Sequence, residues 1–270
     1  PGNVRLISGP GCPVCVTPNS YIDRAIAISR IPDVIVVTFG DMMRVPGSSS
    51  SLETEKARGA DVRVVYSTLD ALQIARDNPG RQVVLLDVGI ETTAPTVASA
   101  IRSAAEEELT NFYVLCAHKT SPPAMEALAT SDELKLNGFI CPGHVSTIIG
   151  SKPYEPIAQK YRIPCVIAGF EPADVILAIW MLLRQNSEGR AEVEIEYGRV
   201  VRPEGNPKAV RTMWEVFEPC DSVWRGIGMI PGSGMKLRRE FAEMDAETSF
   251  DVEVEPTREH PGCICGEILR

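Results

Sequence analysis

The sequence predicts an α/β protein: two Rossmann-like lobes, each built on a parallel sheet and facing a cleft, with a smaller irregular C-terminal module. Two observations carry this reading. Short apolar, β-branched runs recur along the chain, each ending in a turn, most of them with glycine, and running on into a helical pattern. Strands that alternate with helices form βαβ units, and such units build parallel sheets. The alternation then stops near Asn186, which sets the last part of the chain apart.

The elements are expected in this order. Val4–Ile7 reads as a strand entering Ser-Gly-Pro-Gly, followed by a helix with Thr17 as N-cap and Pro18 at its first position. Ile22, Ala25, Ile26 and Ser29 then share one helical face. Val34–Val37 leads into Thr-Phe-Gly-Asp, with Ser50 and Glu53 spaced as a capping box for a helix from Leu52. Val62–Tyr66 leads to Ser67, with Asp70 three residues on as a variant of that box. Val83–Leu86 enters Asp-Val-Gly-Ile-Glu-Thr-Thr, and Phe112–Leu115 enters Cys-Ala-His-Lys. Phe139–Ile140 enters Cys-Pro-Gly-His, and Cys165–Ala168 enters Gly-Phe-Glu-Pro. An acidic helix end at 106–111 is read as the divide, giving lobes at 1–109 and 110–190 and a third module at 191–270. In that module Val193–Tyr197 alternates like a half-buried strand and 225–234 is Gly-rich.

A net charge of −9 without a Lys/Arg stripe argues against nucleic acid as the main partner. The longest apolar run, 175–183, is too short to span a bilayer, and no signal-peptide pattern opens the chain, so a cytoplasmic protein is expected. Eight cysteines in such a chain of 270 residues point to metal or redox chemistry rather than to a disulfide framework. The chain starts at Pro1 and stops five residues after its last cysteine, and it reads as a fragment.

Chemistry is expected at the loops beyond the carboxyl ends of the strands. Cys12 and Cys15 form a Cys-x-x-Cys pair where strand hands over to helix, a placement that favours the thiolate that attacks disulfides and binds metals. A zinc half-site or a redox pair would look alike at this point. Asp41 and Arg44 sit in a loop that is read equally as a mobile cover or as a solvated turn. In Glu-Thr-Thr, Thr93 fits an N-cap, and Glu91 is left to orient a histidine or carry a proton. His144 is the leading histidine, with His118 and His260 behind it, and Glu171 reads as a first-turn acid. Cys263 and Cys265 are too few for a closed metal site.

Taken together, the blocks at 9–15, 38–48, 91–96, 138–146, 168–174, 224–231 and 262–267 resemble the HypD family of hydrogenase maturation proteins, in order and across the whole chain. The resemblance implies a scaffold that, with the small chaperone HypC, holds iron while two cyanides and one carbon monoxide are attached. HypE would deliver the cyanide, and the Fe(CN)2CO unit would pass to the large subunit of a nickel–iron hydrogenase. It further implies that Cys12 and Cys15 are redox-active or iron-facing thiols, with Asp41, Glu91 and His144 lining the cleft. Cys263 and Cys265 would begin the region of a 4Fe-4S cluster. The family's Cys-Gly-Gly-His-Thr segment is missing upstream of Pro1 and most cluster cysteines are missing downstream of Arg270, so an incomplete cluster is expected. A stand-alone thiol–disulfide oxidoreductase using the same pair is the alternative.

Overall fold

Val34–Thr38 (β1), all β-branched residues, is the strand around which the first sheet is laid. The computed structural model describes residues 4–131 and 134–258, and in it every β1 residue is buried. A strand covered on both faces reads as a continuous apolar run, and β1 does. Asp61–Val64 (β2), Gln82–Asp87 (β3) and Phe112–Cys116 (β4) complete a four-stranded parallel sheet ordered β2-β1-β3-β4. The edge position of β2 shows in its mixed burial, whereas β3 is buried from Val83 onward.

Phe139–Pro142 (β5), Cys165–Ala168 (β6) and Val193–Ile195 (β7) form a second parallel sheet, ordered β5-β6-β7. Phe217–Trp224 (β8) and Gly228–Leu237 (β9) form an antiparallel hairpin. The chain divides into two compact units: one of 1–89, 96–119 and 215–270, the other of 90–95 and 120–214.

The α/β class and the parallel sheets are as expected; the assignment of strands differs in three places. Val4–Ile7 is not a strand. It is irregular, with Leu6 63% and Ile7 54% exposed. A four-residue apolar run interrupted by Arg5 cannot by its pattern distinguish a sheet strand from an extended surface segment. Phe112–Cys116, expected in the second lobe, is the fourth strand of the first sheet, paired in register from Val83↔Phe112 to Asp87↔Cys116. Residues 191–270 are not one module: β7 extends the second sheet, while β8 and β9 belong to the first unit, where Lys119 bridges to Gly234. Sequence order hides this because the chain leaves the first unit and returns to it.

The first core gathers Ile22, Ile26, Val36, Val84, Leu86, Leu115 and Phe250; the second gathers Cys141, Tyr154, Ile157, Cys165 and Ile167. The expected box at Ser67 and Asp70 is present. The helix Leu52–Ala57 is capped by Ser51 instead of Ser50, because Ser50 Oγ donates to the Glu55 carboxylate. That carboxylate also takes a two-pronged bond from Arg30 at 2.9 and 2.8 Å. The Arg30 guanidinium, helped by Ser50 and Arg58, holds Glu55 at about 2, down from 4.5. Since the folded value is depressed, its stabilisation is full above pH 4.5 and fades as pH falls towards 2. Acid titrations of folding free energy for the protein and for Glu55→Gln are expected to converge over that window. Parallel curves would refute the assignment.

Candidate functional site

Cys12 and Cys15 occupy a one-turn helix of their own, Pro13–Val16. Cys12 is its N-cap, and its Sγ accepts the Cys15 N–H at 3.4 Å. Thr17, expected to cap the long helix, donates its Oγ1 to Pro13 O at 2.8 Å and so closes this turn; Pro18 precedes the helix Asn19–Ser29. Cys12 is exposed and Cys15 half-buried. Val16 is fully buried and Val14 packs against the first core, so alternate residues of the turn anchor it while the sulfurs stay near the surface.

A second support was not legible in the sequence. The Arg225 N–H donates to Val16 O at 2.8 Å, and the Arg225 guanidinium donates to Asn19 Oδ1. Trp224 beside it is buried, with its indole N–H on Ser233 Oγ at 2.8 Å. The Trp-Arg-Gly segment thus clamps the cysteine turn from a point more than two hundred residues away in the chain.

The loop after β1 is pinned as well. Asp23, buried on the helix Asn19–Ser29, accepts from Ser48 N at 2.6 Å and Ser48 Oγ at 2.7 Å. Gly47 fits beneath, where a Cβ would come within 2.6 Å of Asp23 Oδ1. Asp41 is exposed in a short 3-10 turn, Gly40–Met42, and Arg44 pairs at the surface with Glu53 at 3.3 Å.

Cys12, Cys15 and Asp41 belong to the first unit, Glu91 and His144 to the second. Glu91 is buried and accepts from Ser121 N at 2.6 Å and Ser121 Oγ at 2.9 Å, satisfying the start of the helix Ser121–Ala129. His144 is exposed in the first turn of the helix Gly143–Ile149, its ring 4.5 Å from that of Phe170 and 6.3 Å from that of Tyr197. The glycine before it has a packing reason: a Cβ at Gly143 would collide with the Ala168 carbonyl oxygen of β6. Backbone cannot yield there as a side-chain tip would. Gly143→Ala is therefore expected to lose about 3 kcal/mol of folding free energy, the upper end for overpacking, in a urea titration. A loss below about 0.5 kcal/mol would contradict the packing. Glu171 caps the helix Pro172–Ser187, with Asp174 completing the box. Cys263, Cys265 and His260 lie outside the described residues.

One constellation was missed. At the paired ends of β3 and β4, Asp87, Cys116 and His118 present ligand atoms all within 4.8 Å of one another. His118 Nδ1 lies 2.7 Å from Asp87 Oδ2, and both residues are buried. Burial and the neighbouring Asp87 charge push the Cys116 thiol well above its usual range. Lys119, next in the chain, is buried too, and desolvation brings its ammonium down to about 8. The signal was available, since Asp87 and His118 follow adjacent apolar runs, but pairing two strand ends requires knowing that those strands are neighbours.

Among the described residues, no helix is long and apolar enough to cross a membrane. The family model described as "HypD: Hydrogenase formation hypA family" matches residues 1–270. The chain is 50% identical over 278 residues to hydrogenase maturation factor HypD2 of Bradyrhizobium diazoefficiens, covering all of this chain and 73% of the relative. It is 48% identical to hydrogenase maturation factor HypD of Rhizobium leguminosarum bv. viciae and 48% identical to that of Cupriavidus necator. Those matches cover all of this chain and 72% and 73% of the relatives.

Proposed function

Because the chain belongs to the HypD family and so to hydrogenase maturation, we propose that it is a scaffold on which the Fe(CN)2CO unit of a nickel–iron hydrogenase is assembled. Iron is the cargo, and Cys12 and Cys15 are the thiols that meet it. The proposed partners are HypC, which would share the iron, and HypE, which would supply cyanide, with the hydrogenase large subunit as recipient. A 4Fe-4S cluster would involve Cys263 and Cys265, which lie outside the described residues.

The observation that supports this reading is the exposed sulfur of Cys12, held as a helix cap within one turn of a second thiol. Low-spin iron carrying cyanide and carbon monoxide is a soft centre, and thiolates suit it. Oxidation of the two thiols to a disulfide releases two electrons and two protons, which the attachment chemistry can use. The turn is anchored by Val16, Asn19 and Arg225, so the pair can change redox state without unravelling its support. Asp41 and His144, both exposed, are proposed as polar groups available to ligands or partners. Glu91, committed to Ser121, serves as a helix cap in this reading.

Full chain co-expressed and purified with HypC is expected to show infrared bands of metal-bound cyanide and carbon monoxide. Absence of those bands, together with turnover of insulin disulfides by the chain alone, would replace the scaffold with a free-standing thiol–disulfide oxidoreductase.

A further inference from the structure

The buried group at the ends of β3 and β4 offers one carboxylate, one thiol and one imidazole, and the proposed role of Cys12 and Cys15 uses none of them. We propose that Asp87, Cys116 and His118 form a second metal site, distinct from the cysteine turn and taking a borderline divalent cation of the zinc and ferrous class. This inference does not depend on the scaffold reading.

Placement comes first. Asp87 and Cys116 are register partners, so backbone pairing fixes two of the three donors. The pairing runs on past the strands, with Ala117 N on Asp87 O at 2.9 Å and Lys119 N on Gly89 O at 3.0 Å. From the other side β9 holds the same segment. Met235 N donates to His118 O at 3.0 Å, and the Cys116 thiol donates to Met235 O at 3.1 Å. Three donors on so constrained a backbone are organised before any ligand arrives.

Charge comes second. A divalent cation with one carboxylate, one thiolate and one neutral imidazole sums to zero, the only total that a buried site tolerates cheaply. Of the neighbouring groups, Tyr21 adds no charge to that sum, while the Lys119 ammonium does. Tyr21, whose hydroxyl donates to Leu115 O at 2.8 Å, is pushed up by burial and by Asp87 and stays neutral. The Lys119 ammonium is turned to Ser222 Oγ and Val223 O. On binding, the Cys116 proton leaves to solvent and the cation takes its place. Metal–nitrogen and metal–oxygen bonds of about 2.0–2.1 Å in a tetrahedron set those ligands about 3.3 Å apart. The 2.7 Å contact between Asp87 and His118 must therefore open by roughly half an ångström. Cys116 is the least buried of the three residues. Three protein ligands leave the fourth position for water or an exchanging partner.

Cobalt(II) is the probe, titrated into the full chain carrying Cys12→Ser, Cys15→Ser, Cys263→Ser and Cys265→Ser, which removes the thiols of the cysteine turn and of the C-terminal pair. One equivalent is expected to bind with a near-ultraviolet thiolate-to-cobalt band, and X-ray absorption is expected to find one sulfur among nitrogen and oxygen neighbours. Adding Cys116→Ala is expected to erase the band, and His118→Gln to weaken binding at least about a hundredfold, beyond the usual cost of losing a mere supporting contact. Three results would each overturn the site: no cobalt uptake in the parent, two or more sulfurs around the metal, or a band that persists in folded Cys116→Ala. The first two need no further substitution, so a misfolded variant leaves the question decidable.

Discussion

Cys12→Ser is expected to abolish hydrogenase maturation while leaving the protein folded. The serine hydroxyl can still cap the turn Pro13–Val16, as the sulfur does now by accepting from Cys15 N. Caps are worth about 1 kcal/mol, and serine is among the best of them, so thermal midpoints of the two proteins should agree within a few degrees. What serine cannot do is lose an electron pair to a neighbouring thiol or bind soft iron. Hydrogen uptake by a strain whose only copy carries Cys12→Ser should fall to the level of a deletion, with normal amounts of variant in the extract. Cys15→Ser should do the same, although its half-buried position makes it the more structural of the two. Wild-type uptake with either variant would remove the thiol pair from the proposed mechanism.

How much of this could be read from the chain depends on the range of the interaction. Local signals survived the test. The capping box at Ser67 and Asp70 and the buried strand that starts at Val34 each follow from residues a few positions apart, whereas Glu171, read as a first-turn acid, is the N-cap residue and Asp174 the acid of the first turn. Where the outcome was set by distant neighbours, the sequence misled or was silent. Glu91 looked like a spare carboxylate because Ser121, its partner, is thirty residues away. Leu6 and Ile7 looked like strand residues, yet both are largely exposed. Arg225, in a motif legible as a block of identity, gave no hint that its work is to hold Val16 and Asn19 in place. His118 ranked behind His144 for the same reason: its importance comes from Asp87 on the adjacent strand, and strand adjacency is not written in any one segment.

Lys119→Met is expected to flatten the alkaline dependence of stability. The wild-type ammonium is buried, and desolvation lowers its value from 10.5 to about 8, against the opposing pull of Cys220 and Cys116. Between those two values the unfolded chain holds a proton that the folded chain has released, so folding stability rises with pH across the window. A depression of that size corresponds to about 3 kcal/mol, gained as pH climbs from about 8 to 10.5 and absent below it. The nearby thiols act in the opposite direction. Cys116 and Cys220 are both raised by burial, so each loses stabilisation as alkali ionises the unfolded chain first. Their burial share is common to wild type and variant, and only the part of the Cys220 shift set by the Lys119 charge differs between the two. Urea titrations at intervals of pH should therefore show wild type gaining on Lys119→Met by about 3 kcal/mol over the window, even if both curves fall in absolute terms. Methionine keeps the length and apolar character of the stem, so its own cost is the lost bonds to Ser222 and Val223, constant with pH. A difference that did not change with pH would mean that Lys119 reaches water and carries its charge unhindered.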